Sequence, residues 1–226
     1  MKLDRYSIAI RLILLAGLIA PRAGIAQQSP GSYRAVTDER LKAPEPENWL
    51  FYRGTYDGWG YSPLEQINSE NVQFLAPVWA FSTGVNGGHE AVPIVNDGVM
   101  FVTTPGNQVI AIDARSGDLM WLYLHELAED VIAYHYTNRG VALYGDLVIF
   151  GTLDAKLVAL NKDTGKVVWK KPIRTYVPCM LTFAGHLYTV TDRGIGYCWE
   201  AATGKEKWKA RIGKGFIASP IIAGDK

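Results

Sequence analysis

Three segments decide the fold: Asp113-Ala-Arg-Ser-Gly-Asp-Leu-Met-Trp121, Asn161-Lys-Asp-Thr-Gly-Lys-Val-Val-Trp169 and Glu200-Ala-Ala-Thr-Gly-Lys-Glu-Lys-Trp208. Each begins with an acidic residue or Asn, passes through Ser/Thr-Gly, and ends on Trp. Upstream of each lies a matching apolar run, Val99–Val102, Leu147–Phe150 and Leu187–Val190. Each run follows a turn at Asp97-Gly98, Gly145-Asp146 or Gly185-His186. The repeating unit is therefore four short strands joined by glycine turns. Trp79, Trp121, Trp169 and Trp208 recur at steps of 42, 48 and 39 residues, close to the blade period of about 40 to 50 residues in β-propellers. One blade cannot bury both faces alone, so blades stack around an axis, and a Trp closing each outer strand docks between neighbours. The Asp/Asn and Ser/Thr-Gly positions read as turn formers, whose side chains bond nearby backbone.

Three blades are complete, Trp79 closes the outer strand of an earlier one, and Ser219 to Ala223 open another. The expected fold class is all-β, a partial β-propeller spanning residues 49–226. Its sheet edges are exposed at both ends, so by itself the chain is expected to be marginal or unfolded. Residues 1–26 read as a secretory signal peptide: basic Lys2, Arg5 and Arg11 precede an apolar run, Leu12 to Ala20, and small residues end at Ala26. That run is short of the roughly 20 apolar residues of a membrane span, so no integral membrane segment is expected after leader removal. Residues 27–48 read as a flexible lead-in, and the location as periplasmic or secreted. Lys+Arg number 23 against Asp+Glu 22, which excludes a field that would attract nucleic acid or an anionic membrane surface.

Only two cysteines occur, Cys179 and Cys198. They are placed on the first and third strands of one blade, roughly 9.5 Å apart at about 4.8 Å per strand. A disulfide tolerates Cα atoms up to about 7 Å apart, so no bridge is expected within the blade. No Cys-x-x-Cys-His haem attachment sequence is present. His89 and His135 lack Cys or His neighbours at ligand spacing, and no residue is assigned to a metal.

The first strand of each blade lines the axis, so residues at its start face the central mouth. Glu90 and Ala91 align with Asn138 and Arg139, with Pro178 and Cys179, and with Ile217 and Ala218 in successive blades. Glu90 can accept hydrogen bonds from a polar ligand and Arg139 can hold a carboxylate or quinone oxygen in bidentate fashion. Alternatively the two pair with each other and with backbone.

Asn48-Trp49, Tyr56-Asp-Gly-Trp-Gly-Tyr-Ser-Pro63, Gly88-His-Glu-Ala91 and Thr137-Asn-Arg-Gly-Val-Ala142 together resemble the pyrroloquinoline quinone (PQQ) dependent alcohol dehydrogenases, from about Trp49 to Trp169. The Gly-x-x-x-Trp blade endings resemble the tryptophan-docking motif of those eight-bladed quinoproteins. The resemblance implies that Glu90 and Arg139 contact PQQ. It also implies an alcohol substrate, an electron acceptor, and Ca2+ or a lanthanide in complete relatives. There the metal polarises the quinone, an Asp takes the hydroxyl proton and hydride passes to PQQ. Where the family often has an adjacent Cys-Cys pair over the cofactor, this chain has Ala133-Tyr134, and the Tyr134 ring is a candidate to lie against the quinone instead. The family's Gly-Ala-Glu metal segment is missing; Thr191–Tyr197 reads as a plain hairpin, and Pro178 to Trp208 as a generic repeat. The Asn ligand, the catalytic Asp and the later cofactor contacts would lie past Lys226. The chain thus reads as the amino-terminal part of such a dehydrogenase, inactive alone. The rival reading is a noncatalytic repeat propeller serving as a binding or assembly scaffold, like the outer-membrane assembly lipoprotein.

Overall fold

The computed structural model describes residues 32–129, 131, 136–174, 178 and 180–223. The leader, Tyr134, His135 and Cys179 lie outside the described residues. Among the described residues twelve strands form three four-stranded antiparallel sheets. The first blade comprises β1 (Ile94–Asn96), β2 (Val99–Thr104), β3 (Gln108–Asp113) and β4 (Leu119–Leu124). The second comprises β5 (Val141–Tyr144), β6 (Leu147–Gly151), β7 (Lys156–Asn161) and β8 (Val167–Pro172). The third comprises β9 (Leu181–Phe183), β10 (His186–Val190), β11 (Ile195–Glu200) and β12 (Glu206–Arg211). Strand order follows chain order in each sheet, so every blade is a simple meander. The repeat extends to irregularities: the third and fourth strands slip register after Ala111, Ala159 and Cys198, one slip per blade.

The apolar alternation of the middle strands places their side chains between blades. One core cluster joins Phe101, Val109 and Trp121 of the first blade to Val148, Phe150 and Val158 of the second. Another joins Ile149, Leu157 and Trp169 of the second to Leu187 and Trp199 of the third. The repeated Trp and Gly meet across these seams. Trp121 Nε1 donates to Lys162 O at 2.6 Å, Trp169 Nε1 to Ala201 O at 3.2 Å, and Trp79 Nε1 to Ala114 O at 3.0 Å. Each indole therefore lies on the Ser/Thr-Gly turn of the following blade. A Cβ added at Gly117, Gly165 or Gly204 would stand 2.7, 2.6 or 2.8 Å from that ring, so the repeated Gly is required for the stacking as well as for the turn. The Asp113 and Asn161 side chains accept hydrogen bonds from backbone N–H groups two and three residues on, as turn formers do.

From Tyr33 onward the lead-in is packed against the blades. Val36 and Leu41 are buried in the first core cluster. Val36 pairs with Gly145 in the β5–β6 turn, and Trp49 pairs with Val95 on β1. A short helix α1 (Asp38–Lys42), with Thr37 at its N-cap, lies between these two pairings. Tyr56 Oη donates to Thr182 O in the third blade at 2.7 Å, and Lys42 Nζ stands 5.2 Å over the Phe183 ring. This arm, residues 33–56, touches all three blades. Isolated apolar residues such as Val36 carry no periodicity that announces this packing. The arm is pinned by charge as well. Arg34 donates to Asp97 through its side chain and backbone, and Arg40 donates to Glu45 at 2.8 Å and to Asn96 at 2.8 Å. Burial pushes the Asp97 carboxyl up, but hydrogen bonds from Arg34 and Asn48 outweigh it and hold the group at about 2.

Candidate functional site

The segments leading into β1 and β5 approach the axis from consecutive blades. They bring together two of the three residues expected at the site. Arg139 Nη1 lies 2.8 Å from Glu90 Oε2, and the side chains are 50% and 44% exposed. The pair thus sits at a mouth open to solvent. Tyr134 lies outside the described residues. Asn138, which aligns with Glu90, is buried and engaged by the fold: its amide donates to Gly151 O at 2.9 Å and its carbonyl accepts from Gly140 N at 3.0 Å. Asn138 thereby presents the next residue, Arg139, to the mouth.

Arg139 lines a cavity of about 600 Å³, within the range of about 300 to 1,000 Å³ that suits small-molecule ligands. Its walls are apolar where the inner strands face it, at Val92, Ile94, Val141 and Leu143. Leu41, Leu50, Phe51 and Tyr52 of the arm also line it. Polar groups come from the mouth-side connections: Thr152, Asp192 and three arginines, Arg139, Arg174 and Arg193. Such a cavity accommodates a flat ligand carrying anionic groups at its margin.

Behind the mouth the first two blades are joined by a polar network missed in the sequence. His125 Nε2 lies 2.9 Å from Asp154 Oδ1, and the His125 Nδ1 lies 3.2 Å from Tyr123 Oη. Asp154 also accepts from Thr152 and Lys156. Burial pushes the Asp154 carboxyl up, yet the bonds from Lys156, Thr152 and His125 prevail and hold it well below the usual carboxylate range. A repeated signal was present: Thr104, Thr152 and Thr191 stand at equivalent ends of the second strands and all are buried. His89 is engaged locally, with Thr83 Oγ1 at 3.1 Å and Gly87 O at 3.0 Å. Cys198 is a buried free thiol on the third strand of its blade. Among the described residues no group of three His, Cys, Asp or Glu side chains lies close enough to hold a metal ion.

Stacked four-stranded blades with polar side chains at the end of the axis define a part of a β-propeller. The chain belongs to the glucose/ethanol/alcohol dehydrogenase β-propeller family, whose sequence profile matches residues 49–171. Residues 180–226 match the profile of outer membrane protein assembly factor BamB. Quinoprotein alcohol dehydrogenase PedH from Pseudomonas putida is 46% identical over 170 residues, covering 73% of this chain and 27% of that protein. The quinohemoprotein alcohol dehydrogenase from Comamonas testosteroni superposes with a TM-score of 0.71 at 30% identity, over 77% of this chain and 29% of that one. A europium-containing methanol dehydrogenase gives 0.69 at 29% identity, over 76% of this chain and 33% of that one. The chain thus spans about a third or less of these relatives' length.

Proposed function

We propose that the chain forms the amino-terminal wall of a PQQ-dependent alcohol dehydrogenase, exported to the periplasm and inactive without the rest of the ring. The observation that carries this is the match of residues 49–171 to the alcohol dehydrogenase propeller family, in a chain where Arg139 lines the cavity and Glu90 lies 2.8 Å from it. When bound, PQQ supplies the two-electron acceptor for alcohol oxidation, and an external acceptor then reoxidises it. Arg139 holds a quinone or carboxylate oxygen through its planar fork, and Glu90 orients that fork. The apolar walls from Val92 to Leu143 keep water from the ligand's faces, and the arm residues Phe51 and Tyr52 border the same space. The donor set suits the cofactor's anionic groups, and among the described residues no cluster of His, Cys, Asp or Glu is placed to hold a metal.

The match of residues 180–226 to the assembly-factor profile favours a second reading, in which the propeller holds protein partners and binds no quinone. Titration of the purified chain with PQQ in the presence of Ca2+ or a lanthanide, followed by tryptophan fluorescence, separates the two. The dehydrogenase reading expects saturable quenching at micromolar quinone, weakened about tenfold in Arg139→Ala. The same substitution leaves the fold intact, because an exposed ion pair contributes at most about 1 kcal/mol. Absence of saturable quenching in the unaltered chain overturns the reading.

A further inference from the structure

The cavity carries two guanidinium groups that the Glu90–Arg139 pair does not use. Arg174 follows β8 on the way back to the axis, and Arg193 sits in the β10–β11 turn; both line the same space as Arg139. Both lie past residue 171, where the match to the dehydrogenase propeller ends. Among the described residues neither side chain has an ion pair or hydrogen bond; Arg193 contributes only its backbone carbonyl, which accepts from Arg211 Nη1 at 3.0 Å. Among the described residues the carboxylates at this mouth are Glu90, held by Arg139, and Asp192, which lines the cavity beside Arg193. Guanidinium groups therefore outnumber carboxylates, and two of them keep their full set of N–H donors for a ligand. Each presents a rigid fork that matches a carboxylate, which a lysine ammonium does not.

We propose that Arg174 and Arg193 bind peripheral carboxylates of the cavity's ligand, so that the site selects a planar polycarboxylated quinone over an uncharged one. Arg139 anchors one margin of the ring system, and Arg174 and Arg193 hold another from the β8–β9 connection and the β10–β11 turn. The apolar walls between them take its faces. This inference rests on the reading of the cavity as a quinone site.

The experiment is a fluorescence titration of the full chain with PQQ and, separately, with its trimethyl ester, which keeps the ring and removes the charges. The proteins are the unaltered chain, Arg174→Ala, Arg193→Ala and the double variant. Both arginines are exposed, so near-UV circular dichroism is expected to be unchanged. Each single substitution is expected to weaken PQQ binding about tenfold and the pair about a hundredfold. Ester affinity is expected to stay the same throughout. Raised salt weakens PQQ binding to the unaltered chain more than to the double variant. If the unaltered chain binds PQQ and the double variant binds it equally well, the arginine role is overturned while the quinone site stands. A parallel loss for PQQ and ester also overturns the charge role. If the unaltered chain binds no PQQ, the quinone reading fails and this inference falls with it.

Discussion

Substituting Gly165 by Ala tests whether the blades are held by the contact between each indole and the next turn. Gly165 has φ +65°, and an added Cβ would stand 2.6 Å from Trp121 Cε3 and 2.9 Å from Cδ2. Two costs arise. The left-handed backbone conformation is worth about 1 to 2 kcal/mol against a residue with a Cβ. The ring must also retreat, which breaks the Trp121 Nε1 to Lys162 O bond of 2.6 Å, about 1 kcal/mol, and loosens packing around a Trp that is 7% exposed. The total is about 3 to 4 kcal/mol. Gly98 supplies the control: its φ is +84°, but a Cβ there meets nothing within 4 Å, so Gly98→Ala carries the backbone cost alone. Urea unfolding followed by tryptophan fluorescence is expected to place the Gly165→Ala midpoint below that of Gly98→Ala by about 1 M. Equal midpoints for the two variants would refute the reasoning, because the steric clash with Trp121 is the only cost they do not share.

The outer tryptophans themselves extend the comparison. Trp169 is 8% exposed and bonded to the next blade, while Trp208 is 43% exposed; Trp169→Ala is expected to cost about 3 to 5 kcal/mol and Trp208→Ala under half as much in the same urea assay. The Arg34–Asp97 clasp predicts a pH dependence. Asp97 has its carboxyl lowered to about 2 in the folded chain from an ordinary 3.8. Its stabilisation, roughly 2 kcal/mol, is full above the ordinary value and is lost as pH falls from about 4 through 2. The stability gap between the unaltered chain and Asp97→Asn is therefore expected to narrow over that window. A gap that stays constant from pH 5 to pH 2 argues against the ion pair as its source.

The blades were legible because their signal repeats: Gly117, Gly165 and Gly204 each sit four residues before a Trp, and the repetition marked the units that the sheets then form. What repetition leaves open is the partner across the seam. Trp121 stacks on Gly165 of the next blade and not on its own Gly117, a consequence of how the blades stack. Glu90 and Arg139 were found by aligning the starts of inner strands, and stacking brings them into contact. Arg174 and Arg193 escaped because they lie in connections with no repeated counterpart, and only the curvature of the sheets carries them to one cavity. The arm escaped for a related reason: Tyr56 and Thr182 are 126 residues apart in sequence, and nothing local to either announces the other.

That arm changes how the three blades share stability. In an array where each unit touches only its neighbours, an end unit can melt by itself and the rest remain. Here Val36 is bridged to the second blade, Trp49 to the first and Tyr56 to the third, so a single strap couples units that are not adjacent. Opening the third blade releases the end of the strap, and opening the first releases its middle. Hydrogen exchange is therefore expected to show amide protons in β2, β6 and β10 sharing one common opening event in place of a graded series from one end to the other. The strap also closes its longest loop, from Tyr56 to Thr182, only when the third blade has been made.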